Sequence, residues 1–91
     1  MRIGIVGVHY WHIAGMVQSA RQASGAELVG LVEADDGLYG QYTTDRPIPR
    51  FASLQQMLQE ARPDVVLEGV THVDKAALVE TCAAAGVHVL L

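Results

Sequence analysis

The chain is predicted to be an α/β domain, an open parallel sheet wound on both faces by helices, with strand order 3-2-1-4-5 and ending after the fifth strand. Three observations predict it. Short apolar runs alternate along the chain with segments of helical periodicity, and strands joined through helices pair in parallel by right-handed crossovers. The runs Ile3-Gly4-Ile5-Val6 and Leu28-Val29-Gly30-Leu31-Val32 are apolar at nearly every position, as strands covered on both faces are. Gly7 ends the first of them where the chain must turn sharply into a helix.

The elements follow in order. After the strand Arg2–Val6 and the turn Gly7-Val8-His9-Tyr10-Trp11-His12, the residues Ile13, Met16, Val17 and Ala20 recur at helical spacing, and Ser24-Gly25 closes the segment as a C-terminal cap. Gly15 inside this helix costs ~1 kcal/mol against alanine, so it is expected to mark a close approach to the sheet or to a ligand. Ala26–Glu33 reads as a second strand ending on a carboxylate. Ala34–Pro49, with Asp35-Asp36-Gly37 and two prolines, reads mainly as loop, with a short helical turn around Tyr39, Gly40 and Tyr42. Arg50-Phe51-Ala52 is a brief edge strand, and Ser53-Leu54-Gln55-Gln56 is a capping-box pattern that opens a helix striped by Leu54, Met57, Leu58 and Ala61. Arg62-Pro63 stops it. Asp64–Glu68 is the next strand, Thr71-His72-Val73-Asp74 a second cap, and the helix through Ala76, Leu78, Val79 and Cys82 ends at Gly86 before the strand Val87–Leu91.

Bulk properties narrow the function classes. Ninety-one residues, 51% hydrophobic and 18% charged, make one globular domain, residues 1–91, and exclude disorder. A net charge of −4 with scattered Lys and Arg argues against nucleic acid as a partner. No apolar run reaches the ~18–20 residues that span a bilayer, and Met1-Arg2 leads into a strand instead of a signal peptide, which places the chain in the cytoplasm and off the membrane. Cys82, the single cysteine, reads as a small buried thiol. His88 reads as structural, and Lys75, the single lysine, as a solvated surface residue.

In a doubly wound sheet ligands bind beyond the strand C-termini, where the order reverses. That crevice collects His9, Tyr10, Trp11 and His12 from one side and Gly69, Val70, Thr71 and His72 from the other. The dinucleotide fingerprint G-x-G-x-x-G uses its glycines for a tight turn, for approach of backbone to pyrophosphate and for helix packing; here Gly7 fills the first place, and His9 and His12 stand in the others.

Four segments together resemble the N-terminal half of the Gfo/Idh/MocA family of oxidoreductases: Arg2–Gly7, Ala26–Glu33, Asp64–Leu67 and Ala84-Ala85-Gly86-Val87-His88-Val89-Leu90-Leu91. The resemblance covers essentially the whole chain and implies a Rossmann-like, NAD(P)-binding domain that handles a sugar, polyol or related carbonyl compound once a C-terminal substrate domain is supplied. It implies that Gly7 and the amides of Tyr10 and Trp11 face the pyrophosphate, that Glu33 grips the adenine ribose, and that Gly69, Val70 and Thr71 lie along the cofactor. A carboxylate at Glu33 accepts from a 2′-hydroxyl and repels a 2′-phosphate, and no arginine adjoins it in sequence, so NAD is favoured over NADP. Departures accompany the likeness. His9 and His12 replace glycines, Glu68 puts a carboxylate in a strand end that is apolar in the family, Lys75 stands where the family has histidine, and the family's catalytic Glu-Lys-Pro motif lies beyond Leu91. No catalytic or metal-ligating residue is therefore assigned, and this chain by itself is expected to be inactive.

Two other readings stand beside this one. A degenerate nucleotide site and an exposed last strand fit a non-catalytic ligand-binding or assembly module, expected as a homo-oligomer. His9, His12 and His72 across the crevice are a minor metal alternative.

Overall fold

The computed structural model describes residues 1–8, 12–43, 47–69 and 72–90, without the side chains of residues 12 and 72–74. Its elements are β1 (Arg2–Val6), α1 (His12–Gln22), β2 (Glu27–Val32), α2 (Asp36–Thr43), α3 (Leu54–Glu60), β3 (Val65–Glu68), α4 (His72–Ala84) and β4 (His88–Leu90). All strands pair in parallel, in the order β2-β1-β3-β4. Arg50 adds one parallel bridge to Leu31 on the outer edge of β2, where Leu31 N donates to Pro49 O at 2.9 Å and Phe51 N donates to Leu31 O at 3.0 Å. The anticipated order 3-2-1-4-5 is thus present, with its third position reduced from a strand to a bridge. Pro47 and Pro49 supply no N–H to extend that ladder.

Two hydrophobic layers sandwich the sheet. On the α1 face, Ile3, Ile5, Val8, Ile13, Val17, Leu31, Ile48 and Leu67 form one cluster; on the α3–α4 face, Val6, Val29, Met57, Val66, Leu78 and Cys82 form the other. Met57 packs at the glycine pair Gly4↔Gly30 of β1 and β2, where an added Cβ at either position would lie 2.7 Å from its nearest neighbour. Side chains in a strand alternate between faces, yet Leu28 and Leu31 share the α1 layer while Val29 and Val32 share the other. The register shift opposite Ile3 and Gly4 explains this, because a bulge adds one residue and reverses the phase of everything after it.

Residues 36–43 form a helix, where the sequence reads mainly as loop with only a turn near Tyr39. Gly37 and Gly40 weaken the helical signal, and α2 has no fully buried residue. It is held instead by its start and by polar contacts from outside the helix, among them Arg21 donating to Tyr42 O and Arg50 pairing with Asp36. Asp35 Oδ1 accepts from Leu38 N at 3.0 Å, and the Tyr39 hydroxyl donates to Ile48 O at 2.6 Å. α3 matches its capping pattern, with Ser53 Oγ accepting from Gln56 N at 3.1 Å, although the Gln56 side chain returns to Ala52 N instead of to the cap residue. Gly15 is exposed, and an added Cβ would meet nothing within 4 Å. It marks no close approach to the sheet. His88 is likewise exposed on β4 and not a core residue.

Candidate functional site

The crevice begins where β1 and β3 end side by side. Gly7, at φ 73°, turns out of β1 while its N–H donates to Val32 O at 2.8 Å, and Gly69 N donates to Val6 O at 2.9 Å. The positive φ suits glycine. A Cβ on Gly69 would sit 2.5 Å from Gly7 O and 3.3 Å from the Ile13 Cβ, so the two turns are in direct contact and only a residue without a side chain fits there. α1 and α4 start just past these turns, at His12 and His72.

At the β2 end lies Glu33, only 4% exposed. Beyond the bulge it is in step with Leu31, so its carboxylate reaches the Gly7-Val8 turn. Oε1 accepts from Val8 N and Oε2 from Asp35 N, both at 2.9 Å. Its carbonyl accepts from Arg50 Nε at 3.0 Å and Nη2 at 2.7 Å, while Arg50 Nη1 pairs with Asp36 Oδ1 at 2.7 Å and the guanidinium lies 4.6 Å from the centroid of the Tyr39 ring. Val32, Glu33, Ala34, Arg50, Phe51 and Ala52 surround a cavity of about 440 Å³. An arginine therefore does adjoin Glu33, in space if not in sequence.

At the β3 end Glu68 is 1% exposed and faces the α4 side of the sheet. Lys75 Nζ, in the first turn of α4, lies 3.3 Å from Glu68 Oε1, and the Lys75 side chain is 29% exposed. Lys75 is thus half of a buried ion pair, not a freely solvated residue. This pair was signalled in sequence by two unusual residues falling together, since a carboxylate in an apolar strand end needs a cation.

Of the anticipated site residues, the structure brings together Gly7, Glu33 and Gly69. His9, Tyr10, Trp11, Val70 and Thr71, and the side chains of His12 and His72, lie outside the described residues, as does the His9/His12/His72 metal alternative. Among the described residues no group of three or more His, Cys, Asp or Glu could hold a metal ion, and no helix is long and apolar enough to cross a membrane. Sequence reasoning missed Arg50 and Asp36. The only available signal was the strand order, which puts the bridge at Arg50 beside the end of β2.

A larger, almost wholly apolar groove of about 870 Å³ lies away from the crevice, on the α1 face over β3 and β4, between Met16 and Ala20 on one side and Val89 and Leu90 on the other.

The fold has close structural counterparts. A protein from Erwinia carotovora atroseptica described as an oxidoreductase superposes with TM-score 0.85 at 30% identity, covering 98% of this chain and 27% of its own. Biliverdin reductase from Synechocystis, solved with biliverdin and NADP+, gives 0.84 at 23% identity over 97% of this chain and 28% of its own. Scyllo-inositol dehydrogenase from Lactobacillus casei, solved with NAD(H) and scyllo-inositol, gives 0.82 at 21% identity over 98% and 26%. This is the N-terminal, Rossmann-like fold of Gfo/Idh/MocA-type oxidoreductases. The chain spans about a quarter of the length of these solved structures. No protein-family model matches it, and no curated protein matches it in sequence.

Proposed function

We propose that the chain is the NAD(P)-binding domain of a Gfo/Idh/MocA-like oxidoreductase acting on a sugar, polyol or related carbonyl compound, with NAD preferred. The observation that carries this reading is the junction of three parts: the Gly7 turn at the switch point, the buried Glu33 bonded to that turn, and the cavity of about 440 Å³ beside it. In this fold an acidic residue at that place meets the adenine ribose, and a helix N-terminus meets the pyrophosphate. A bound nicotinamide would supply the hydride chemistry, and the chain's part is to hold and orient it. None of its described residues is assigned the acid–base step.

The electrostatics of the ribose end favour NAD. Glu33, Asp35 and Asp36 bring three carboxylates to the rim, and the guanidinium of Arg50 is already engaged by Asp36, by the Glu33 carbonyl and by the Tyr39 ring. A 2′-phosphate would have to displace that arrangement. Energy transfer from Trp11 to added NADH tests the reading: saturable transfer is expected, with NADPH at least ~10-fold weaker, about the worth of one displaced charge-assisted contact. No change up to millimolar NADH overturns it.

One observation favours a second reading, the assembly module. The apolar groove over β3 and β4 is covered by no element of the described chain, and Leu90 is 54% exposed. A sedimentation profile that stays monomeric at high concentration would remove that reading and leave nucleotide binding untouched.

A further inference from the structure

We propose that the Glu68–Lys75 pair sets which oxidation state of the nicotinamide the domain binds, and that with both residues present it favours the reduced cofactor. The inference rests on the dinucleotide reading above. With the ribose at the β2 end and the pyrophosphate at the start of α1, the other half of the cofactor extends across the switch point over the end of β3, beside Glu68 and Gly69. The oxidised nicotinamide ring carries a positive charge and the reduced ring none, so fixed charge under that end of the crevice discriminates between them.

The two members of the pair differ in their access to solvent. Glu68 is sealed beneath the crevice at 1% exposed, while Lys75 at 29% retains a solvent face and sits in the first turn of α4, which starts at the crevice. The ammonium is therefore the outer charge, and the helix N-terminus behind it has the same sign. A lysine is disfavoured at a helix N-terminus; its position here is accounted for by Glu68 and not by the helix. Of the pair, the charge nearest solvent is the positive one, which penalises the oxidised ring and spares the neutral one.

The test measures dissociation constants of NAD+ and NADH by calorimetry for the unsubstituted chain, Glu68→Gln, Lys75→Met and the double variant. The quantity read is the ratio of the NAD+ constant to the NADH constant. Glu68→Gln leaves the ammonium uncompensated and should raise that ratio about three- to tenfold. Lys75→Met should lower it by a similar factor, and the double variant should fall between the two single ones. A merely structural role would weaken both forms alike and leave the ratio in place. If Lys75→Met does not fold, the isosteric Glu68→Gln and the uncharged double variant still give opposite shifts about the unsubstituted value. A ratio constant within twofold across variants that bind both forms overturns this inference alone. Binding of neither form by the unsubstituted chain overturns the dinucleotide reading, and this inference falls with it.

Discussion

Glu33, just beyond β2, and Glu68, the last residue of β3, are both buried carboxylates at the C-terminal rim of one sheet, yet they lie in opposite layers and are neutralised by different means. Glu33 is satisfied by backbone, through the amides of Val8 and Asp35. Glu68 is matched by a side chain, the ammonium of Lys75. The first arrangement is tied to the path of the chain: the Gly7 turn, the bulge in β2 and the start of α2 all converge on one carboxylate. The second is tied to two residue identities, and either can change without altering the path. A carboxylate that organises backbone is part of the fold, whereas one that organises a charge is available for tuning.

The largest expected effect breaks this contrast if it is wrong. Glu33→Ala removes the acceptor from one buried and one part-buried amide, each bond to a charged group being worth about 1.5–3 kcal/mol, so urea unfolding should show a loss of about 3 kcal/mol. Glu68→Gln keeps the shape and leaves behind an ammonium that already has a solvent face, and should cost about 1 kcal/mol or less. A domain of this size has only about 5–10 kcal/mol to lose, so the two variants should separate clearly in denaturation midpoint. Equal losses would mean that Glu33 is no more structural than Glu68.

How much of this was legible beforehand depended on whether a signal was local. The β1, α1, β2, α3 and β3 segments announce themselves through apolar runs, helical stripes and caps such as Ser53 with Gln56, all set by residues close in sequence. α2 did not, because its two glycines oppose helix while Asp35 and the Tyr39 hydroxyl, which hold it, act through single hydrogen bonds. The bulge was invisible for a related reason: β2 is apolar at every central position, so a reversal of phase leaves no trace in the pattern. Glu33 could be placed at the ribose end, but its occupation by Val8 and Asp35 could not. Arg50 reaches Glu33 from 17 residues away, a contact that depends on the bridge to β2. Glu68 and Lys75 were each visible as anomalies, and the fold is what makes them one feature.

Two glycines extend the contrast between rim and periphery at smaller amplitude. Gly69 holds the two rim turns in contact, and a Cβ there meets a backbone carbonyl that cannot swing away. Gly69→Ala should cost about 1–3 kcal/mol, the usual range for overpacking. Gly15 is exposed within α1 with open space around it, so Gly15→Ala should stabilise by about 0.5–1 kcal/mol through helix propensity and the entropy of the unfolded chain. Thermal midpoints moving in opposite directions would confirm that the crevice floor is packed and the α1 surface is not. A destabilised Gly15→Ala would mean that the flank of α1 lining the apolar groove is covered after all.

The smallest effect probes the layer beneath Glu68. Lys75, Leu78 and Cys82 lie at spacings that share one face of α4, and the Cys82 thiol is fully buried among Val6, Met57, Val66 and Leu78. Burial pushes its pKa above the ordinary thiol value, because a low-dielectric surround disfavours the thiolate. The folded state thus holds a proton that the unfolded chain releases. The associated stability is fully present below the unfolded thiol value of about 8.5 and declines as pH rises through it toward the folded value. Stability should therefore fall as pH rises from about 8 to about 9.5, and Cys82→Ala should abolish that slope; Tyr42, raised by the same cause, contributes only at higher pH. Thiol labelling should track global unfolding over this range. A slope unchanged by Cys82→Ala, or labelling in the folded state, would mean that water reaches the α3–α4 layer in which Glu68 is sealed.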